Sequence, residues 1–124
     1  MRFMIMVKSK ESSAPPPKEL MDGIAQLGQE AAKAGVFVDT GGLLPTAMGA
    51  RVRVSGGQIS VTDGPFTEAK EVVGGFAVYQ VKSREEAVAW TRRFMELHAK
   101  HWKGWEGEAE VRQMFDPSDF GGQS

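Results

Sequence analysis

The chain has 124 residues, of which 41% are apolar and 25% are charged, and its 15 lysine and arginine residues nearly balance 16 aspartate and glutamate residues. This length and composition predict one globular domain with a substantial hydrophobic core. A formal net charge of −1 gives no electrostatic argument for a nucleic-acid partner, and the absence of cysteine excludes disulfides, thiol catalysis and thiolate metal sites.

The N-terminal segment reads MRFMIMVKSK. Its apolar run, Phe3 to Val7, is too short for a signal-peptide core or a membrane span, so we expect a cytoplasmic protein with no membrane partner. Residues Arg2 to Lys8 carry apolar side chains on both faces, which predicts a central strand. A polar loop rich in proline follows, and a proline can open a helix.

Two helices are predicted from the spacing of apolar residues. The first spans Lys18 to Ala34, where apolar residues recur at intervals of three and four, and Gly35 is a natural stop. The second follows Ser83, whose hydroxyl suits the N-cap position, with Glu86 reaching back to complete a capping box. The core stripe of this second helix comprises Ala87, Trp90, Phe94 and Leu97.

Strands account for the other apolar segments. Val36 to Leu44 predicts a second strand that breaks at Gly41-Gly42, Phe76 to Val81 predicts a strand buried on both faces, and Glu108 to Phe115 predicts the last strand.

The segment from Arg51 to Thr62 predicts a β-hairpin. Gly56-Gly57 suits a two-residue turn that needs positive φ at both positions. This turn sorts the side chains onto an apolar and a polar face, which a shift of one residue would scramble. The predicted pairs are Val54 with Ile59, Val52 with Val61, Arg53 with Ser60, and Arg51 with Thr62.

The order of these elements predicts an α+β protein. It fits a ferredoxin-like split βαβ fold with an inserted β-hairpin, in which an antiparallel sheet carries two helices on one face. We expect a single domain over residues 1–115 and a C-terminal tail over 116–124. The second sheet face, to which we assign the apolar residues of the hairpin, also needs cover. A second copy of the chain would supply it, so we predict a homodimer with the sheets face to face.

The connection from Asp63 to Gly74, DGPFTEAKEVVG, combines turn formers, charges and an aromatic residue. Asp63 can bond to its downstream backbone, Gly64 allows positive φ, and Pro65 presets φ. Gly74 and the glycine after it predict a bulge where two backbones approach closely. Loops carry function more often than cores do, so this connection is the first place to look for a site.

The run DGPFTEAKE, followed by GGF, resembles the signature of the YCII-related family, also called the DGPF-domain family. The resemblance implies a dimeric α+β barrel built on a ferredoxin-like fold. It also implies kinship with small enzymes that act on cyclic or aromatic metabolites, where a His–Asp pair in the sheet-side cavity is the proposed catalytic element. Many DGPF proteins are encoded beside extracytoplasmic-function sigma factors, which implies a regulatory setting. Here the first strand holds no histidine, and the two present are His98 and His101.

Asp63 is the main candidate for a catalytic acid or base, and the alternative is that it caps its own turn. His98 and His101 could supply an acid–base site or two metal ligands, or be structural histidines at a helix end. No third ligand is identifiable, so no metal site is predicted.

The ligand-binding candidates surround the same connection and are Arg51, Gly64, Pro65, Phe66, Lys70 and Glu71. Arg51 shares a hairpin face with Arg53, and the pair could bind a carboxylate bidentately, face solvent or pair with a glutamate across the sheet. The loop charges, with Glu68 near them, could bind an anionic ligand or only be solvated. Phe66 could line a pocket or pack in the core, and the glycine and proline are backbone devices.

Three functions remain open. The first is a cofactor-independent lyase or isomerase that uses Asp63 in a small-molecule pocket near the DGPF loop. The second is a non-catalytic metabolite-binding or regulatory dimer linked to an extracytoplasmic-function sigma factor, and the third is a structural partner module. A buried Asp63 with a histidine or arginine in hydrogen-bond reach across an enclosed cavity favours the first function. An apolar cavity without convergent titratable groups favours the second, and the absence of a cavity favours the third. No phosphate loop or dinucleotide fingerprint occurs, so no cofactor is predicted.

Overall fold

The computed structural model describes residues 1–12, 14–116 and 118. Its elements, in chain order, are β1 (Arg2–Ser9), α1 (Lys18–Lys33), β2 (Phe37–Gly42), a 3-10 turn (Thr46–Met48), β3 (Ala50–Ser55), β4 (Gln58–Asp63), β5 (Val72–Gln80), α2 (Arg84–His101) and β6 (Gly107–Gln113). Each predicted helix and strand is present, although β5 begins at Val72 rather than at Phe76. The predicted tail, 116–124, lies almost wholly outside the described residues.

Four strands form one antiparallel sheet in the order β2-β5-β1-β6, while β3 and β4 form a separate two-stranded sheet. β1 therefore has a partner on each side, as its apolar pattern predicted. Both helices pack on the same face of the four-stranded sheet. The arrangement is ferredoxin-like with an inserted hairpin, so the predicted fold class is confirmed.

The hydrophobic core lies between the four-stranded sheet and the two helices. Phe3 and Ile5 alternate toward the helices along β1, and each is 2% exposed. Burying such a side chain stabilises the fold by about 1.5–3 kcal/mol. The rest of the buried cluster comes from both helices, β5 and the loops beside them: Ala31, Val36, Tyr79, Val81 and Ala87.

Helix α2 begins with most of the predicted capping box. The Ser83 hydroxyl accepts a hydrogen bond from the Glu86 amide at 3.1 Å. The Glu86 carboxylate reaches back as expected but accepts from the Lys82 amide at 2.9 Å rather than from Ser83. Two amide donors that the helix cannot pair internally are thus satisfied. Neither helix of the described chain is long and apolar enough to cross a membrane.

The hairpin has the predicted turn and register. Gly56 and Gly57 adopt φ values of 58° and 77°, as a two-residue turn of this type requires. Cross-strand pairs join β3 to β4 as expected: Val54 with Ile59, Val52 with Val61, Arg53 with Ser60, and Arg51 with Thr62. One hairpin face is therefore apolar and the other polar.

The hairpin does not extend the main sheet, so the expectation that its apolar residues lie on the second face of that sheet is wrong. After β2 the 3-10 turn redirects the chain, and within the described residues β3 and β4 then pair only with each other. That second face is formed instead by residues of β1 and β5, with Met4 beside Val78 and Met6 beside Phe76. The apolar hairpin residues remain 66–71% exposed: Val52, Val54, Ile59 and Val61.

The predicted bulge lies where β5 leaves the DGPF connection. Val7 of β1 pairs with Gly75, but the next residue, Lys8, pairs with Val73, so Gly74 is the extra residue. A Cβ on Gly75 would lie 3.1 Å from the carbonyl oxygen of Gly41, which shows that two backbones approach closely here. The bulge prediction is confirmed.

Candidate functional site

The DGPF loop, residues 63–66, packs directly on the backbone of the 3-10 turn. The Gly64 amide donates a hydrogen bond to the Gly49 carbonyl at 2.9 Å, and the Gly64–Pro65 peptide bond is cis. A Cβ on Gly64 would lie only 1.7 Å from the Thr46 carbonyl oxygen. Gly64 does not adopt the positive φ expected of it. Glycine is needed at this position because no side chain fits between the two backbones.

Thr46 joins the DGPF loop to the loop after β1. Its hydroxyl oxygen accepts a hydrogen bond from the Phe66 amide at 3.1 Å and donates to Glu11 Oε1 at 2.7 Å. The Thr46 amide donates to Glu11 Oε2 at 2.6 Å. One threonine and one carboxylate therefore connect three loop segments that are distant in sequence.

The Thr46 hydroxyl and amide stabilise the ionised Glu11 carboxylate and hold its pKa below the ordinary value. A lowered folded-state pKa contributes stability that is present above the unfolded-state pKa and is lost as the pH falls through the folded-state pKa.

We therefore expect Glu11→Gln to lower the melting temperature near neutral pH, and the deficit relative to wild type to shrink as the pH falls below about 4.3. Thermal unfolding of both proteins between about pH 6 and pH 3 measures this difference. Taking the difference removes the contributions of carboxylates that both proteins share. A deficit that stays constant across this range would contradict the assigned role of the Glu11 charge.

The hairpin cleft is a cavity of about 220 Å³ on the polar face of the hairpin. It is lined by Arg51, Arg53, Ser60, Thr62 and Glu68. The cross-strand register brings the two arginines and the two hydroxyl residues onto one face, because side chains alternate between faces along each strand. Glu68 enters this group from the connection after the DGPF loop.

Arg51 is held from two sides. Its guanidinium carbon lies 3.9 Å from the centre of the Phe66 ring, in cation–π geometry. The same guanidinium donates a hydrogen bond to the Glu68 carboxylate and forms an ion pair with it. This hydrogen bond, with a smaller effect of the Arg53 charge, lowers the pKa of Glu68. Arg51 is thus oriented by DGPF-loop and connection residues.

Arg53 differs from Arg51 in having no ion pair or side-chain hydrogen bond within the described part of the chain. It is exposed and lies across the strand pair from Ser60. The hairpin cleft therefore combines one fixed guanidinium group with one that is free to bind an added anion.

Asp63 does not line the hairpin cleft. It pairs with Ala50 at the end of the hairpin, and strand alternation assigns it to the face of Val61, opposite that of Thr62. Asp63 is exposed, and its side chain forms no hydrogen bond with any residue that the structure describes. Lys70 and Glu71 are likewise exposed and form no ion pair within the described ranges.

His98 lies in an aromatic cluster on α2, away from the hairpin. It is 6% exposed, and its Nδ1 donates to the Phe94 carbonyl at 3.0 Å. Its ring centre lies 4.6 Å from that of Trp105, and burial lowers its pKa. His101 is the last residue of α2.

Among residues 1–12, 14–116 and 118, no three His, Asp or Glu side chains lie close enough together to hold a metal ion. No hydrogen bond in these ranges joins His98 or His101 to Asp63. The assignment of these three residues as acid–base groups stays a prediction.

Sequence reasoning found part of this site and missed the rest. Arg51 and Phe66 were predicted, and the hairpin register already placed Thr62 and Ser60 beside the arginines. The signal was the alternation of polar residues across the Gly-Gly turn. Glu11 and Thr46 carried no comparable signal, because each is a polar residue outside the predicted helices and strands and its partner is 35 positions away.

Two comparisons with known proteins found a match. Residues 1–105 match the model of the YCII-related domain. A stretch of 75 residues is 32% identical to an uncharacterized protein of Rhizobium meliloti (strain 1021), and the matched stretch covers 60% of each chain. The family match includes both helices, the hairpin and the DGPF loop, and stops before β6. The chain belongs to the YCII-related domain family.

Proposed function

We propose that the protein is a homodimer that binds a small organic carboxylate in the hairpin cleft. The observation that carries the proposal is the convergence of Arg51 and Arg53 with the hydroxyls of Ser60 and Thr62 in a cavity of about 220 Å³. A guanidinium group matches the two oxygens of a carboxylate, and hydroxyls can donate further hydrogen bonds to it.

A binding function suits this cleft better than acid–base chemistry does. Among the described residues its lining includes no histidine and one carboxyl group, that of Glu68, which the Arg51 hydrogen bond keeps ionised. Arg51 is already oriented by Phe66, so less side-chain freedom is lost when a ligand binds. This supports the metabolite-binding alternative over a lyase or isomerase that uses Asp63.

The homodimer is proposed because, among the residues that the structure describes, two apolar surfaces have no helix packed on them. One is the apolar hairpin face, whose four side chains are 66–71% exposed, and the other is the sheet face formed by β1 and β5, where Met6 and Phe76 are half-buried. A two-stranded hairpin is at best marginally stable alone in water. A standard interface buries about 800 Å² per partner, and the four hairpin side chains supply only part of that area. We therefore propose that the second copy covers both apolar surfaces.

Titration calorimetry with succinate at low ionic strength tests the binding proposal. We expect wild-type protein to bind succinate and Arg53→Gln to bind it at least about tenfold more weakly, because a charge-assisted hydrogen bond contributes about 1.5–3 kcal/mol. Arg92→Gln is the matched control: this exposed arginine of α2 faces Glu96 and not the cleft. Benzoate and phenyl phosphate, titrated in parallel, separate carboxylate recognition from phosphate recognition.

Equal weakening by Arg53→Gln and Arg92→Gln would show that binding follows net charge alone and would refute the cleft as the site. Preferential binding of phenyl phosphate would keep the site and replace the proposed ligand class. Failure of the wild type and of all variants to bind any of these anions would refute the proposed function.

A further inference from the structure

Glu68 stands in the hairpin cleft as a carboxylate already bound to Arg51. Its side chain comes from the connection after the DGPF loop, outside any helix or strand, and contacts the Arg51 guanidinium as an ion pair. This is the contact that the proposed function assigns to the carboxylate of a ligand. Glu68 contacts Arg51 through one nitrogen, Nη1, and it would repel a ligand carboxylate that approaches this same nitrogen.

We propose that Glu68 is a built-in competitor of the ligand, and that the site selects small dicarboxylates, whose second carboxylate displaces Glu68 from Arg51. The inference rests on the proposed function of the same cleft. Arg53, which has no side-chain partner in the described residues, binds the first carboxylate, and Arg51 binds the second once Glu68 has moved away.

Exchange of this kind needs an internal contact that is weak enough to break. The side chains of Arg51 and Glu68 are 37% and 66% exposed, so the ion pair is in contact with water. An exposed ion pair of this kind favours the state in which Glu68 is bound to Arg51 over the state in which it is released by about fivefold at most. Displacing Glu68 therefore lowers ligand affinity by no more than a similar factor.

Arg51 does not lose its position when Glu68 leaves. The Phe66 ring still lies against its guanidinium group, and the Phe66 amide is itself anchored to Thr46. The DGPF loop thus holds Arg51 from one side, while on the cleft side a ligand carboxylate replaces that of Glu68. This division explains how the residue can be both oriented in advance and available to a ligand.

The preference for a dicarboxylate follows from the difference between the two arginines, since Arg51 is paired with Glu68 and Arg53 has no ion pair in the described residues. A monocarboxylate such as acetate can bind Arg53 with Glu68 still in place. Succinate needs both guanidinium groups and therefore competes directly with Glu68. Removing the Glu68 charge should strengthen succinate binding more than acetate binding. A general reduction of negative charge would act on each carboxylate group alike, so the fold-gain for succinate would then be the square of that for acetate.

The experiment is calorimetric titration of succinate and of acetate into wild type, Glu68→Gln and Glu106→Gln. Glu106 is an exposed carboxylate in the loop before β6 and has no ion pair in the described residues, so its variant matches the charge change. We expect Glu68→Gln to bind succinate about fivefold more tightly than wild type, and the gain for acetate to be less than about twofold. Circular dichroism checks that the variants are folded.

Each other outcome overturns a specific statement. If wild type binds succinate through Arg53 but Glu68→Gln binds it equally or more weakly, Glu68 positions Arg51 and the competitor role is refuted while the proposed function stands. If the fold-gain for succinate is no larger than the square of the fold-gain for acetate, the effect is a field acting on two charges and dicarboxylate selection is refuted. If neither wild type nor Glu68→Gln binds either acid, the proposed function fails and this inference fails with it.

Discussion

Replacing Gly64 with alanine is expected to lower the free energy of unfolding by about 3 kcal/mol. The added Cβ would lie 1.7 Å from the Thr46 carbonyl oxygen and 2.6 Å from its carbonyl carbon. These are backbone atoms, and they cannot turn aside as a flexible side chain would. The DGPF loop must then separate from the 3-10 turn, which also strains the hydrogen bond from the Phe66 amide to Thr46.

Urea unfolding at equilibrium measures this change, and the melting temperature should fall by about 10 °C. Gly28→Ala is the matched control, because a Cβ at that helical position of α1 meets nothing within 4 Å. We expect it to raise stability by about 0.5–1 kcal/mol, since alanine is the better helix former. A loss below about 1 kcal/mol for Gly64→Ala would contradict the close backbone contact.

Introducing a charge on the apolar hairpin face is expected to separate the proposed dimer. Ile59 is 71% exposed in the single chain, and a partner that covers this face would have to bury the new ammonium group. We expect Ile59→Lys to raise the dimer dissociation constant by at least about 30-fold, the effect of disrupting an interface hot spot worth about 2 kcal/mol. Analytical ultracentrifugation over a range of concentrations measures it.

Gln58→Lys is the control for this experiment. Gln58 directly precedes Ile59, is also exposed, and lies on the opposite face of the hairpin because side chains alternate along the strand. The control should dissociate as wild type does. A stable dimer in both Ile59→Lys and Val61→Lys would place the interface elsewhere, and a wild type that sediments as a monomer at all concentrations would refute the homodimer.

The sequence predicted the elements of the fold well because their signals are local. Gly56 and Gly57 specify a turn whose register determines all later pairs of the hairpin. Ser83 and Glu86 mark the start of α2 within four residues of chain. The alternation of arginines with valines on β3 likewise predicted a polar face, and the hairpin cleft lies on that face.

The errors concern contacts between segments that are far apart in the chain. The hairpin pattern is the same whether the strands join the main sheet or stand apart, so the sequence could not show that the 3-10 turn separates them. The DGPF motif suggested positive φ at Gly64, whereas the residue is required by the nearness of Thr46. A turn motif describes one segment and contains no information about its neighbour.

By itself, the sequence determined the fold class, the hairpin register and the pairing of arginines with hydroxyl residues, because alternation, turn chemistry and capping act over a few neighbouring positions. Only the tertiary structure decided which polar groups meet. It brought Glu11 to Thr46, set Glu68 against Arg51, left Arg53 without a side-chain partner in the described residues, and placed His98 among aromatic rings. Such contacts depend on how loops pack against one another after the helices and strands have formed. The sequence around a charged or polar loop residue does not indicate which distant residue it will contact.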